Sequence, residues 1–245
     1  MDEVVVPCPQ TVPVGIPPLL SFTAGFVDSC TVLALFGLFV AQVTGSFVLA
    51  AAAFVMHEQG AVTKVLAVPV FLMAAATTTV LAVVAQRRGH STLRFAFGLE
   101  CVVLTAFLVA VLAGAPLDHP DSVAAIAASL LGLFAMGAQS ATVRLLMRNM
   151  PSTNVMTTNT TQLAIDATEL ILAWQARRRA PADAAAAAAY AEARADLARL
   201  VPIMAGFLLG TVTGTLAYVV TGLWALLVPL AIMFAIFARA GAWRS

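Results

Sequence analysis

Charge is what this chain has least of. Asp, Glu, Lys and Arg make up 10% of its 245 residues, less than half the roughly 25% usual in soluble domains. The 13 basic and 12 acidic residues leave a formal net charge of +1, so there is no basic face for nucleic acid. The three cysteines, Cys8, Cys30 and Cys101, are an odd number at unrelated spacings, which excludes a disulfide framework and a CxxC metal site. His57, His90 and His119 fall outside any HExxH or HxxxH pattern, so neither a metal centre nor a cofactor is expected. Nor is there a Ser-His-Asp set, or a histidine inside an apolar run to act as a base. An intramembrane acid pair such as Asp28 with Asp166 would need the two carboxyls face to face, and the expectation is that the protein is not an enzyme.

What the chain has instead is apolar surface. Apolar residues reach 61%, against 45–50% in soluble domains, and the mean hydropathy is +0.96. One globular core cannot hide that much, so the lipid bilayer is the expected partner and solvent. A membrane β-barrel would show alternating segments of ~10 residues; the runs here are twice that length, so the spans are helical.

Stretches of spanning length cover roughly 18–38, 63–85, 93–114, 122–144, 201–220 and 222–240. Two further segments, 43–56 and 157–174, are shorter or more polar than the ~20 apolar residues a crossing needs. The distribution of positive charge chooses between crossing and re-entry, because Lys and Arg gather on the cytoplasmic side. With both segments re-entrant, 12 arginines share one side and Lys64 alone lies on the other; with both crossing, the split is 8 to 5. The pattern therefore predicts an all-α polytopic membrane protein with six transmembrane helices, two re-entrant half-helices and both termini cytoplasmic. The leader, residues 1–17, has acids and prolines but no basic n-region and reads as a disordered tail rather than a cleavable signal. Residues 115–121 become an external loop, 175–199 a cytoplasmic Ala/Arg-rich insert with an exposed helix, and 241–245 a cytoplasmic tail.

A weak internal repeat runs at an offset of 112–114 residues. Ala24-Gly25-Phe26-Val27-Asp28 lies opposite Met136-Gly137-Ala138-Gln139-Ser140, and Val43-Thr44-Gly45-Ser46 opposite Thr157-Thr158-Asn159-Thr160. Small residues four apart, Ala74-Thr78-Ala82 and Gly206-Gly210-Gly214, let helices approach closely in lipid. Each unit (18–114 and 122–240) then reads span, half-helix, span, span. Three crossings per unit invert the second copy, an architecture of many transporters and channels.

Polar groups at membrane depth mark the candidate site. Asp28 and Glu100 lie mid-span with no cation at the same depth, and such residues face a cavity, a partner or a proton path. Thr44, Gly45 and Ser46 begin the first half-helix, and Thr158, Asn159 and Thr160 the second. Their free backbone N–H groups can bind a polar solute or an anion. In the second half-helix Thr158, Thr161, Gln162, Ile165, Asp166 and Glu169 share i, i+3, i+4 spacing, which predicts one polar stripe. Gln139 and Ser140 should face the same centre. The expected solute- or ion-binding set is Asp28, Thr44, Gly45, Ser46, Gln139, Ser140, Thr158, Asn159, Thr160, Gln162 and Asp166. Asp28, Glu100 and Glu169 are the candidate proton relay.

GFVDSCTVLALFGLFVAQVTGSFVL resembles the G-F-x-D and T-G-N motif of the YoaK-like family of bacterial inner-membrane proteins, a domain family without an assigned function. MGAQSATVRLL is similar to its G-x-Q-N-A segment, and TTNTTQLA to its T-G-N-L-T. Ser46, Ser140 and Asn159 depart from the family's Asn, Asn and Gly at these motifs. The resemblance implies a six-span bacterial membrane protein and supplies no substrate. The function expected from the residues is a small-solute transporter, proton-coupled through Asp28. The alternatives are a passive channel, or a structural or regulatory protein acting through the Ala/Arg helix. The glycine ladder suits packing within one subunit, and it would also serve a homo-oligomer.

Overall fold

In the computed structural model, which describes residues 10–56, 59–147 and 150–243, apolar runs form helices wherever Gly, Pro or short polar turns do not interrupt them. In chain order these are α1 (Ile16–Ala34), α2 (Val43–Met56), α3 (Ala61–Arg87), α4 (Thr92–Ala113), α5 (Val123–Leu146), α6 (Met156–Arg179), α7 (Ala184–Thr221) and α8 (Leu227–Ala240). A short 3-10 segment, Gly222–Leu226, joins the last two. Pro69 and Pro202 lie inside α3 and α7; neighbouring helices make this tolerable in membrane helices. The long apolar helices define a multi-pass membrane protein. Among the described residues five helical stretches are long and apolar enough to cross a membrane, the last of them, Ala184–Ala240, including the Gly222 junction.

α1 and α5 form the centre. Every residue of α1 from Thr23 to Thr31 is buried, and so is α5 from Ala135 to Gln139. α2 and α6 lie at the periphery, burying only Ser46 and Ala53, and only Asn159 and Asp166. Packing partners correspond between the two halves. α1 packs on α7 as α5 does on α3, α2 on α3 as α6 on α7, and α4 on α5 as α8 on α1.

The correspondence reaches single residues. A methyl group on Gly25 would meet the Phe207 carbonyl oxygen at 2.3 Å, and one on Gly137, 112 positions later, the Phe71 carbonyl oxygen at 3.1 Å. Matching Phe71 to Phe207 puts Ala74 opposite Gly210 and Thr78 opposite Gly214. Spacing by four alone cannot set this register, because it is blind to a shift of four. The ladder itself packs within the chain: methyls on Gly206, Gly210 and Gly214 would stand 2.4, 2.1 and 2.8 Å from the carbonyl oxygens of Pro18, Phe22 and Phe26.

The two ends of the bundle differ in charge. At one end the α2–α3 turn meets the α4–α5 loop, where the Gly60 N–H donates to Asp121 Oδ1 at 3.0 Å. Leu35 and Phe36, just past α1, share a small cavity there with Gly60, Lys64 and Pro120. At the other end the Gln10 N–H donates to the Leu146 carbonyl at 2.8 Å, Gln10 Nε2 to Thr92 Oγ1 at 2.7 Å, and Ser91 Oγ to the Ala240 carbonyl at 3.4 Å. Arg87, Arg94, Arg144 and Arg239 lie at this end of their helices, which is called the arginine end below. Of the expected tail, residues 1–9 lie outside the described residues, and Gln10 is tied to the bundle. Arg148, Arg244 and His57 also lie outside them.

Two helices of the second half run longer than the segments read from the sequence. The segment 157–174 is part of a 24-residue helix that continues to Arg179. The Ala/Arg-rich helix runs unbroken through Pro202 into the apolar segment as the 38-residue α7. Alanine and the straight-chain residues around it are strong helix formers, so nothing breaks the helix at residue 199. α6 and the first part of α7 therefore form a hairpin at the arginine end. Arg177 stacks over Tyr190 at 5.0 Å and Arg178 over Trp174 at 4.2 Å.

Candidate functional site

Each half contains a break in which the chain doubles back beside its own first helix. After α1, residues 35–42 return until the Val40 and Ala41 N–H groups donate to Asp28 Oδ1 at 2.8 and 2.7 Å. Gln42 Nε2 adds a third bond, to Asp28 Oδ2 at 3.3 Å. Asp28 stands six residues before the end of α1, about 9 Å back along the axis at 1.5 Å per residue. Its carboxylate satisfies non-helical backbone, which at membrane depth survives only with such partners.

After α5, Gln139 has the corresponding task. Its Nε2 reaches the Leu20 carbonyl at 3.0 Å and Asn154 Oδ1 at 3.3 Å, while Thr153 Oγ1 donates to Asn154 Oδ1 at 2.7 Å. Ser21 Oγ donates to the Thr153 carbonyl at 3.0 Å, so this break lies against α1. The other break lies against α5, where a methyl on Gly132 would stand 3.2 Å from Val40. Gly132 and Leu20 are 112 residues apart, so the two contacts are equivalent.

Beside the second break is a cavity of about 950 Å³. Ser140, Thr158, Asn159 and Gln162 are on its wall, together with Arg144 and Ser152. Ser152 organises the start of α6: its Oγ accepts from the Val155 N–H at 3.1 Å, and its carbonyl from Asn159 Nδ2 at 2.6 Å. Gln162 Nε2 donates to Asp166 Oδ1 at 2.6 Å, and Asp166 lines an adjoining depression with the Asp196–Arg199 pair.

The structure thus brings together Ser140, Thr158, Asn159 and Gln162, with Asp166 next to them. Asp28, Thr44, Gly45, Ser46, Gln139 and Thr160 are not on this wall. Thr160 is exposed, with its hydroxyl donating to the Met156 carbonyl at 2.8 Å. The inward face of α6 runs through Asn159, Leu163 and Asp166, so Thr158, Thr161, Gln162, Ile165 and Glu169 of the expected stripe are exposed, with Thr158 and Gln162 still reaching the cavity wall. Glu100 lies apart in α4, fully buried, with neither carboxyl oxygen hydrogen-bonded. Sequence reasoning missed Ser21, Thr153, Asn154, Ser152 and Arg144. The first four lie in or against a break whose path only the fold sets, and Arg144 was counted only as a topological charge.

These features define the class: an all-helical, multi-pass membrane protein whose two central helices are each followed by a buried polar break. The chain belongs to the DUF1275 family, described as proteins of unknown function, whose model matches residues 17–239. This agrees with the YoaK-like resemblance of its motifs. Neither a curated protein nor a solved structure matches the chain significantly.

Proposed function

We propose that this protein is a small-solute transporter of the bacterial inner membrane, with its solute pathway at the break between α5 and α6. The observation that carries the reading is the cavity of about 950 Å³ at that break, a size suited to a small molecule. Its wall combines hydroxyls, carboxamides and one cation.

The topology behind the proposal is six spans, two re-entrant helices and two inverted repeats. α1 ends beside the α2–α3 turn, so α2, starting beside Asp28, returns to the side from which it entered. Its partner α6 starts beside Gln139 and leaves at the arginine end. α7 and α8 are separate crossings, since α8 returns to Ser91, just before α4, and to Gly98 of α4. Arginines then gather on one face, which the positive-inside bias makes cytoplasmic, and the cavity opens towards the cytoplasm. Alternating access by one repeat moving against the other is the mechanism such symmetry supports.

The test is flux in proteoliposomes carrying an internal pH dye, screened with pools of small anions, amines and amino acids. Ser140→Phe places an aromatic ring in the cavity from a position that is only half-buried. A solute moved by the wild type is expected to pass at under about a tenth of that rate in the variant, while elution and helicity stay unchanged; one misplaced group in a binding site costs on the order of 10²-fold. Undiminished flux through folded Ser140→Phe would contradict the pathway.

A further inference from the structure

We infer that the cavity beside α6 is selective for a small organic carboxylate, with Arg144 as its anchoring charge. The inference rests on the transporter reading for the site's purpose and adds the charge and chemical class of the solute.

Arg144 is the one charged side chain among the residues lining the cavity, and no ion pair or hydrogen bond engages it among the described residues. A guanidinium offers a planar fork of donors that matches a carboxylate in a bidentate manner. Next to it α6 begins without a side-chain cap, and the Met156, Thr157 and Thr158 N–H groups have no partner among the described residues. Such a helix start carries partial positive charge and favours an anion.

A third observation is independent of the helix start. Asn159 is 3% exposed and on the cavity wall; its Nδ2 is held by the Ser152 carbonyl, and no donor among the described residues reaches its Oδ1. A carboxamide oxygen on the cavity wall that no donor among the described residues reaches can accept one from a ligand. Donors for a carboxylate therefore adjoin uncharged acceptors, Asn159 Oδ1 and the hydroxyls of Ser140 and Thr158, which suits a carboxylate that also carries a hydroxyl or amino group. Asp166, the nearest acid on α6, is off this wall, and Gln162 engages its carboxylate.

The experiment uses the full chain in nanodiscs of zwitterionic lipid. Its unfolding midpoint is read against acetate, lactate and succinate, their amides, and ethanolamine. A ligand that binds only the folded form raises the midpoint in proportion to the logarithm of its concentration. At least one carboxylate should raise it, lactate more than acetate, with amides and ethanolamine inert. The shift should vanish in Arg144→Gln, survive in part in Arg144→Lys, and be unchanged in Arg178→Gln on the hairpin. Equal shifts with amides, shifts with ethanolamine alone, persistence in folded Arg144→Gln, or no shift with any carboxylate would each overturn the inference. Flux measured separately keeps the two readings apart. Carboxylate binding without flux leaves the inference standing and removes the transporter, whereas amine flux without carboxylate binding does the opposite.

Discussion

Gly210→Leu is expected to abolish accumulation of folded protein in the membrane, the largest single-residue effect in the molecule. The Cβ alone would stand 2.1 Å from the Phe22 carbonyl oxygen and 2.9 Å from its carbonyl carbon. Both are backbone atoms of α1, so no rotamer change relieves the overlap and the two helices must separate. Small residues at such crossings are what permit dense packing where lipid gives no hydrophobic drive between helices. Gly210→Ala should lower stability by about 3 kcal/mol, the upper part of the range for overpacking. Gly137→Ala meets the Ala74 methyl at 2.8 Å and the Phe71 carbonyl oxygen at 3.1 Å, and should cost less because these approaches are longer than those at Gly210. Gly45→Ala has nothing within 4 Å and should leave the midpoint unchanged. Thermal midpoints followed by size-exclusion elution rank the series, and a Gly210→Ala midpoint equal to that of Gly45→Ala would contradict this packing.

Asp28→Ala is expected to be nearly as damaging, for an electrostatic reason rather than a steric one. Removing the carboxylate leaves the Val40 and Ala41 N–H groups buried without acceptors, at about 1–3 kcal/mol each. Asp28→Asn should be mild. Its Oδ1 can still accept from both N–H groups, and Gln42 can rotate its carboxamide to accept from the new amide. This contrast separates two roles for the residue. A clamp on the first break predicts a large loss of stability for Ala and a small one for Asn. A proton-coupling group predicts that Asn abolishes coupled flux while its midpoint stays near that of the wild type. Unfolding midpoints and proton flux measured on the same two preparations decide between them.

Hydropathy made the spans legible, and the arginines made visible the two ends that the bundle displays. The motif GFVDSC at an offset of 112 from MGAQSA located the two equivalent central helices. It could not show that Asp28 and Gln139 face their own chain, because their partners lie in breaks without periodicity, Val40-Ala41 and Thr153-Asn154. The register of α3 against α7 was hidden for another reason. A row of small residues four apart matches itself after a shift of one turn, and only the contacts of Gly25 with Phe207 and Gly137 with Phe71 fix the pairing. α6 runs on to Arg179, past the segment 157–174, which is more polar than a membrane span. That polarity is explained by the hairpin at the arginine end, where most of the helix surface is exposed.

The account stands most directly on which side of the membrane reaches the cavity. Cys30 and Cys101 are buried, so a Ser140→Cys variant with Cys8 replaced by serine offers one new accessible thiol. A membrane-impermeant thiol reagent is applied to right-side-out and to inverted vesicles, with accessibility compared at equal exposure. The account predicts fast modification from the cytoplasmic, arginine-bearing face, slow modification from the other, and loss of solute flux in step with labelling. Labelling confined to the external face, or full flux in completely labelled protein, would contradict it.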